Sequence, residues 1–353
     1  MKLENETFGM RLKKARMMKG WSMDQMVAAL GKQLTKGAIA KYEAGEYLPR
    51  EDKKKILLET LGVAEDYFYK TINYDAVVTS TRSKDGLSER DQQMLAEQML
   101  MVVEGYLELE QLLDDGKKKA FKQLDMLPLS DIDDAELAAE FWRLEWGAGR
   151  HVLGGLYQLL ERHGIIIFEM ESDIEFDGFT AKVNESIPVI VINSKINVER
   201  RRFTALHELA HLMLTFADDA LPAFKEKLSN RFAGAALMPA GELKALLGSK
   251  RDSLYQEELI IIRNSYGISI QALAHRALEL GIISQNTYYR IREGLSENKL
   301  EIGLGGYQGN EESRRFEQMT LKALAQHLIT KSKAHELQQN SGRGFSQKLE
   351  IKW

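Results

Sequence analysis

Cysteine is absent from the 353-residue chain. That excludes disulfides and thiolate metal sites and suits a reducing compartment. A long apolar run is missing as well. No segment approaches the roughly 18 apolar residues of a membrane span, and the opening Met1-Lys2-Leu3-Glu4-Asn5-Glu6 lacks the apolar core of a signal peptide. The expected location is therefore the cytoplasm. Charge of one sign is also lacking: the net charge is -4, which gives no bulk affinity for polyanions, so any nucleic-acid binding has to be local. The length allows two or three domains, each with its own core.

What is present centres on Phe203 to Leu214, an apolar stretch at helical spacing that contains the pattern H-E-x-x-H. On a helix, His207 and His211 are one turn apart on the same face, so two imidazoles can converge on one metal ion. Glu208 is rotated just off their axis, where a carboxylate can reach a metal-bound water and act as its general base. Two hydrogen-bonded core histidines are the simpler alternative. Burying two histidines and a glutamate in so apolar a helix is costly without a partner that satisfies all three, and a metal does so.

The third ligand separates zinc-hydrolase classes. The places where a metzincin carries Gly and then His or Asp are Leu214 and Ala217 here, which excludes that class. The gluzincin arrangement takes a Glu from a following helix, and Lys225 to Ala233 offers Glu226 with Asn230 one turn later. Asp218 and Asp219 are the competing candidates, although acidic residues directly after a helix usually belong to a solvated turn. With Glu226 the site is His2Glu plus water, the catalytic rather than the structural zinc layout.

Arg202-Phe203-Thr204 leading into His207-Glu208-x-x-His211, then Glu226-x-x-Ser229-Asn230-x-Phe232-Ala233 and Leu237-Met238-Pro239, resembles the ImmA/IrrE family of bacterial and phage metallopeptidases. The likeness extends upstream through Asp177-Gly178-Phe179 and Val189 to Asn193, and downstream through Ala272, Arg276 and Leu280-Gly281; it covers about residues 130 to 290. Ser229 stands where the family usually has Ala. The resemblance implies a zinc-dependent endopeptidase that inactivates a helix-turn-helix repressor, with His207, His211 and Glu226 as Zn2+ ligands and Glu208 as base.

Residues 8 to 69 read as a run of short helices, with Phe8 to Met18 ended by Gly20 and a capping-box start at Ser22-Met23-Asp24-Gln25. A second short helix over about Lys36 to Ala44 and a bundle closed by Lys53 to Leu61 and Ala64 to Tyr69 complete a helix-turn-helix plan. Ala38 to Glu43 followed by Gly45 and Pro49 resembles the end of the recognition helix in Xre-type DNA-binding domains. That resemblance implies Thr35, Lys36, Gly37 and Lys41 as the DNA-facing positions. Residues 1 to 70 hold 14 basic against 10 acidic side chains, so the basic excess is confined to this part.

Between the two, Thr71 to Gly86 is polar and irregular and reads as a linker. An amphipathic helix follows from Ser88 to Leu113, whose methionines suit core packing or, as a second possibility, an adaptable contact surface. Asp114 to Lys119 reads as a solvated charge run. Helices are expected from Ser130 through Trp142 and Trp146 and over His151 to His163. Strands are expected at Ile165 to Phe168 and Pro188 to Asn193, with a turn into a third at Phe176 to Thr180. Either 176–184 or 188–193 is the expected edge to which a substrate backbone pairs. Glu199 is the expected partner, with nearby acids, of Arg200, Arg201 and Arg202. Further helices are expected over Glu257 to Tyr266, Ser269 to Leu280, Asn286 to Glu293 and Ser313 to Glu336, with a loop at Leu300 to Asn310 and a polar tail from Leu337.

The expected fold is multidomain and mainly α. It comprises a five-helix helix-turn-helix bundle at 1–70, a linker and connecting helix at 71–129, an α+β gluzincin-like domain with a small sheet at 130–295, and a helical extension at 296–353. The expected function is a DNA-binding regulator with zinc endopeptidase activity, its partners being double-stranded DNA and a repressor protein as substrate, with no membrane. The alternative is a non-proteolytic regulator or antitoxin-like protein with a structural or sensory zinc site.

Overall fold

The computed structural model describes residues 2–70, 74–82, 86–113, 120–309 and 311–340, excluding the side chains of 339 and 340. The charge run at 114–119 and the tail from 341 onward lie outside these residues. The described residues are mainly helical and include one four-stranded sheet.

The N-terminal bundle is α1 (Lys2–Met18), α2 (Met23–Ala29), α3 (Lys36–Glu43), α4 (Glu51–Leu61) and a 3-10 turn (Glu65–Tyr69). Helix α1 starts at Lys2 rather than Phe8; its polar first turn carries Glu4, favourable at a helix N-terminus although it adds nothing to the apolar face. Ser22 and Gln25 form the reciprocal capping box, and Thr35 caps α3 by accepting from the Ala38 N–H. Phe8, Leu12, Met26, Ile39, Leu57 and Phe68 fill the core. Gly9 is where α1 meets α3: a Cβ there would lie 2.4 Å from the Tyr42 carbonyl oxygen, so only glycine allows that approach.

Next come β1 (Ala76–Arg82) and the long α5 (Glu89–Leu113), then α6 (Ile132–Glu145) and α7 (Leu156–Arg162). Helix α7 begins five residues later than His151, because Gly155 holds a left-handed conformation (φ 59°) at its N-cap. The remaining strands are β2 (Ile166–Met170), β3 (Gly178–Val183) and β4 (Ile187–Asn193), and the sheet order is β1-β3-β4-β2. β4 pairs parallel with β2 and antiparallel with β3, and β1 pairs antiparallel with β3.

This placement of β1 corrects the reading of 71–86 as a linker. Val77 to Thr81 is a run β-branched at every position but Ser80 that finds a partner more than 90 residues away, so its polar flanks are a poor guide to its state. It also corrects the expected edge: β3 and β4 are both interior, and β1 is the edge beside β3.

The residues of β4 alternate between two cores, as a strand's two-residue period requires. Val189 and Val191 join Phe179, Ala181 and the α5 residues Leu95, Met99, Val103 and Tyr106. Ile190 and Ile192 face the opposite way, with Ile167, Leu206 and Leu209. Helix α5 therefore belongs to the sheet as much as to the connection. Of its methionines, Met99 is core, whereas Met101 packs against the N-terminal bundle. Buried Arg11 reaches Glu104 at 2.7 Å, and Gln98 donates to the Met18 carbonyl at 2.8 Å, fastening that bundle to α5.

The helices that follow are α8 (Val198–Met213), α9 (Pro222–Leu237), α10 (Ala240–Leu247), α11 (Gln256–Tyr266), α12 (Ile270–Glu279) and α13 (Gln285–Gly294). The last expected helical stretch is two helices, α14 (Arg315–Ala325) and α15 (Lys331–Asn340), broken around His327 at φ 57°. The irregular stretch between α13 and α14 is held by two buried acids. Glu301 accepts from the Ile270 and Gln271 N–H groups at the start of α12, both at 2.9 Å, and pairs with Arg263. Glu311 accepts from Tyr157 N–H at 2.9 Å and pairs with Arg202 of α8. Among the described residues, no helix is long and apolar enough to cross a membrane.

Candidate metal centre

Helix α8 is capped by Asn197, whose side chain accepts from the Arg200 N–H at 2.9 Å. Three arginines in its first turns would oppose the helix dipole if unpaired. Each reaches an acid from another element: Arg200 meets Asp177 at 2.8 Å, Arg201 meets Glu169 at 2.5 Å, and buried Arg202 meets Glu311. Glu199, the expected partner, instead pairs with Arg263 at 3.0 Å. Gly178 of β3 lies so close to α8 that a Cβ there would fall 2.6 Å from the Thr204 methyl carbon. The strand is therefore seated on α8 one turn before His207.

His207 and His211 point their Nε2 atoms at each other, 3.2 Å apart. Glu226, from α9, places one carboxylate oxygen 3.2 Å from His207 Nε2 and the other 3.1 Å from His211 Nε2. Asp218 and Asp219 are exposed in the turn after α8 and lie outside this group. His207 Nδ1 is 3.0 Å from the Asn230 side-chain oxygen, one turn beyond Glu226. With Nδ1–H donating to that amide oxygen, the neutral imidazole turns its Nε2 lone pair toward Glu226 and His211.

Without a cation the imidazoles satisfy Glu226 only by turning N–H groups toward it; with their Nε2 lone pairs facing in, the three donors repel unless a cation lies among them. Ligands on a tetrahedral zinc at 2.0–2.1 Å are roughly 3.3 Å apart, which is close to the spacing seen here. The donor set thus fits a divalent metal of the zinc type. Burial pulls the His207 imidazole down to about 4, so it is neutral and able to ligate at ordinary pH. Hydrogen-bonding contact with the two histidines holds the Glu226 carboxyl well below its usual range.

Glu208 is fully buried, and among the described residues neither carboxylate oxygen has a hydrogen-bond partner of good geometry. Burial pushes its carboxyl up to about 7, outweighing the opposing influence of His211, Arg82 and the nearby Ser80 hydroxyl. Ser80 and Arg82 belong to β1 and lie near this candidate site, which the sequence reading did not anticipate. The signal was the β-branched run around them. A cavity of about 540 Å3 opens alongside, lined by Arg82, Asn230, His275 and Tyr288 among others. Arg276 is buried and bonded to Glu136 and to the Met238 carbonyl, while exposed His275 pairs with Glu279 at 3.5 Å.

In the N-terminal bundle, Thr35, Lys36, Gly37 and Lys41 all lie on the exposed face of α3 or at its start. Two have partners within the chain: the Thr35 hydroxyl caps α3, and Lys36 pairs with Asp24 at 2.8 Å.

Residues 160–278 match the family model of a peptidase group described as the IrrE N-terminal-like domain. Residues 12–68 match a helix-turn-helix model. The two matches, each to a part of the chain, agree with the expected order of an Xre-type helix-turn-helix followed by an ImmA/IrrE-like region. No curated protein matches the chain.

Proposed function

We propose that the protein is a DNA-binding regulator with zinc-dependent endopeptidase activity, His207, His211 and Glu226 being the metal ligands and Glu208 the general base. The observation that carries this reading is the convergence of two imidazole nitrogens and a carboxylate beside a buried, unpartnered glutamate. A zinc ion bound there supplies Lewis-acid polarisation of the scissile carbonyl and a water acidified toward neutrality. Glu208 takes the proton of the attacking water and returns it to the leaving amine. Its apolar surroundings keep the carboxyl basic enough to accept that proton. Asn230 fixes the tautomer and orientation of His207.

The match to a helix-turn-helix model and the exposed face of α3 support duplex DNA as a partner, with Thr35, Lys36, Gly37 and Lys41 as contacts. The family resemblance supports a helix-turn-helix repressor as the protein cut. The test is zinc content after dialysis for the wild type, Glu226→Ala and Glu208→Gln. About one zinc per chain is expected in the wild type and in Glu208→Gln, with loss in Glu226→Ala. The Glu208→Gln protein should retain an uncut substrate as a trap. A wild type that binds no zinc when supplied with it would leave a non-proteolytic regulator.

A further inference from the structure

Strand β1 does not come from the part of the chain that matches the peptidase family. It lies about 80 residues before that match begins, directly after the helix-turn-helix bundle. Without it, the sheet is β3-β4-β2 and β3 presents an open row of backbone N–H and C=O groups beside the metal helix. β1 fills that row antiparallel, from Ala76 opposite Val183 to Arg82 opposite Gly178, with a bulge at Thr79. An extended peptide added to a sheet edge makes the same kind of pairing.

The strand also carries side chains into the reaction centre. Arg82 lines the adjoining cavity, stacks on Phe203 with its guanidinium carbon 4.9 Å from the ring centre, and has one guanidinium nitrogen without a partner. The attachment is shallow. β2, β3 and β4 are almost wholly buried, whereas none of the seven residues of β1 is, and Val77 is 61% exposed. Only Ala76 and Val78 pack, partly buried, against the apolar core; the other fastenings are Thr79 to Thr180 at 3.1 Å, Asp75 with Asn184, and Arg82 with Asp177 at 3.5 Å. A segment held by exposed backbone bonds and few buried apolar groups sits at the low end of local stability.

From this we infer that β1 is a built-in pseudosubstrate: it occupies the edge of β3 on which an extended segment of a protein substrate binds, and it leaves when such a segment replaces it. The inference rests on the peptidase reading above and adds its regulation. A tethered strand competes at an effective concentration on the order of millimolar, so a free peptide meets an edge that is mostly taken.

The chain has no cysteine, which permits a clean disulfide lock. Val77 and Lys182 are direct partners in the register, and Val77→Cys with Lys182→Cys ties β1 to β3. A second variant replaces residues 76–82 by a Gly-Ser sequence of equal length. The probe is a fluorescein-labelled peptide with the sequence Asp75 to Arg82, followed by anisotropy in a Glu208→Gln background, with zinc content recorded for every sample. The Gly-Ser variant is expected to bind the probe about ten-fold or more tighter than the parent. The oxidised lock should not bind it, and reduction should restore the parent's affinity. Equal binding by all forms, or by none, overturns the inference, as does self-cleavage of the zinc-loaded wild type within 76–82, which would make β1 a substrate. Should the Gly-Ser variant not fold, hydrogen exchange on the unaltered chain decides: amides of β1 are expected to exchange at least about ten-fold faster than those of β4, and equal protection refutes it. Repeating the probe titration without zinc separates the two readings, since probe binding with no zinc site anywhere would sink the peptidase and spare the strand.

Discussion

Asn230→Ala tests whether the metal site depends on the residue behind it. Asn230 is exposed and its described interaction is the 3.0 Å contact from its amide oxygen to His207 Nδ1. Removing it leaves the three ligands in place and takes no apolar group from the core, so folding stability should change by no more than about 0.5 kcal/mol. His207 would lose the acceptor that selects the Nδ1–H tautomer and holds the ring. Partners of this kind are typically worth about 10–100-fold in metal affinity, or about 1.4–2.7 kcal/mol. Zinc affinity measured by competition with a chelator at fixed pH should weaken by that factor, and Asn230→Asp, which keeps an acceptor oxygen, should recover most of it. An Asn230→Ala protein with unaltered zinc affinity would refute the claim that His207 is oriented through α9. Loss of affinity accompanied by a large drop in unfolding free energy would show a structural effect instead.

The buried pair of Arg202 and Glu311 should matter to folding far more than a surface pair. Glu311→Ala strands a fully buried guanidinium on carbonyl partners, and urea unfolding should show a loss of about 3–5 kcal/mol; a loss below about 1 kcal/mol would place the pair with ordinary surface bridges. Acid titration of the metal-free protein offers a check on sign. His207, with an ordinary value of 6.5 drawn down to about 4, favours the unfolded chain as pH falls through that interval, because the unfolded state takes the proton first. Glu208, pushed from 4.5 up to about 7, works the other way, since the folded state takes the proton first. Metal-free Glu208→Gln should therefore lose melting temperature more steeply than metal-free wild type between pH 6.5 and 4.5, and parallel profiles would contradict these assignments. At the other end of the chain, changing Lys36 and Lys41 together to Ala should make the salt dependence of duplex binding shallower by about two in log–log slope; an unaltered slope would show that α3 does not face the phosphates.

The candidate metal helix was legible because its pattern is local. His207 and His211 are one turn apart on any α-helix, and the apolar residues around them state that the helix is buried. The capping box at Ser22 and the strand-length run of Val189 to Ile192 are local in the same way, set by hydrogen bonds within three residues or by the β propensity of branched side chains. Glu226 and Asn230 were placed on one face of their helix by spacing alone, but only packing of α9 on α8 brings them to His207 and His211. What sequence could not decide is everything that turns on distant pairing. Arg82 opposite Gly178 is a register between segments almost a hundred residues apart, and the energy that selects it is shared among backbone bonds that any sequence of similar propensity could make. Glu301 and Glu311 sit in a polar, aperiodic stretch that resembles a solvated loop. Their burial follows from the amide ends of α12 and α7 and the arginines of α11 and α8, partners supplied only by the folded chain. Local order needs only neighbours along the chain. A buried charge or an added edge strand needs partners brought from elsewhere, and so only the tertiary structure decides it.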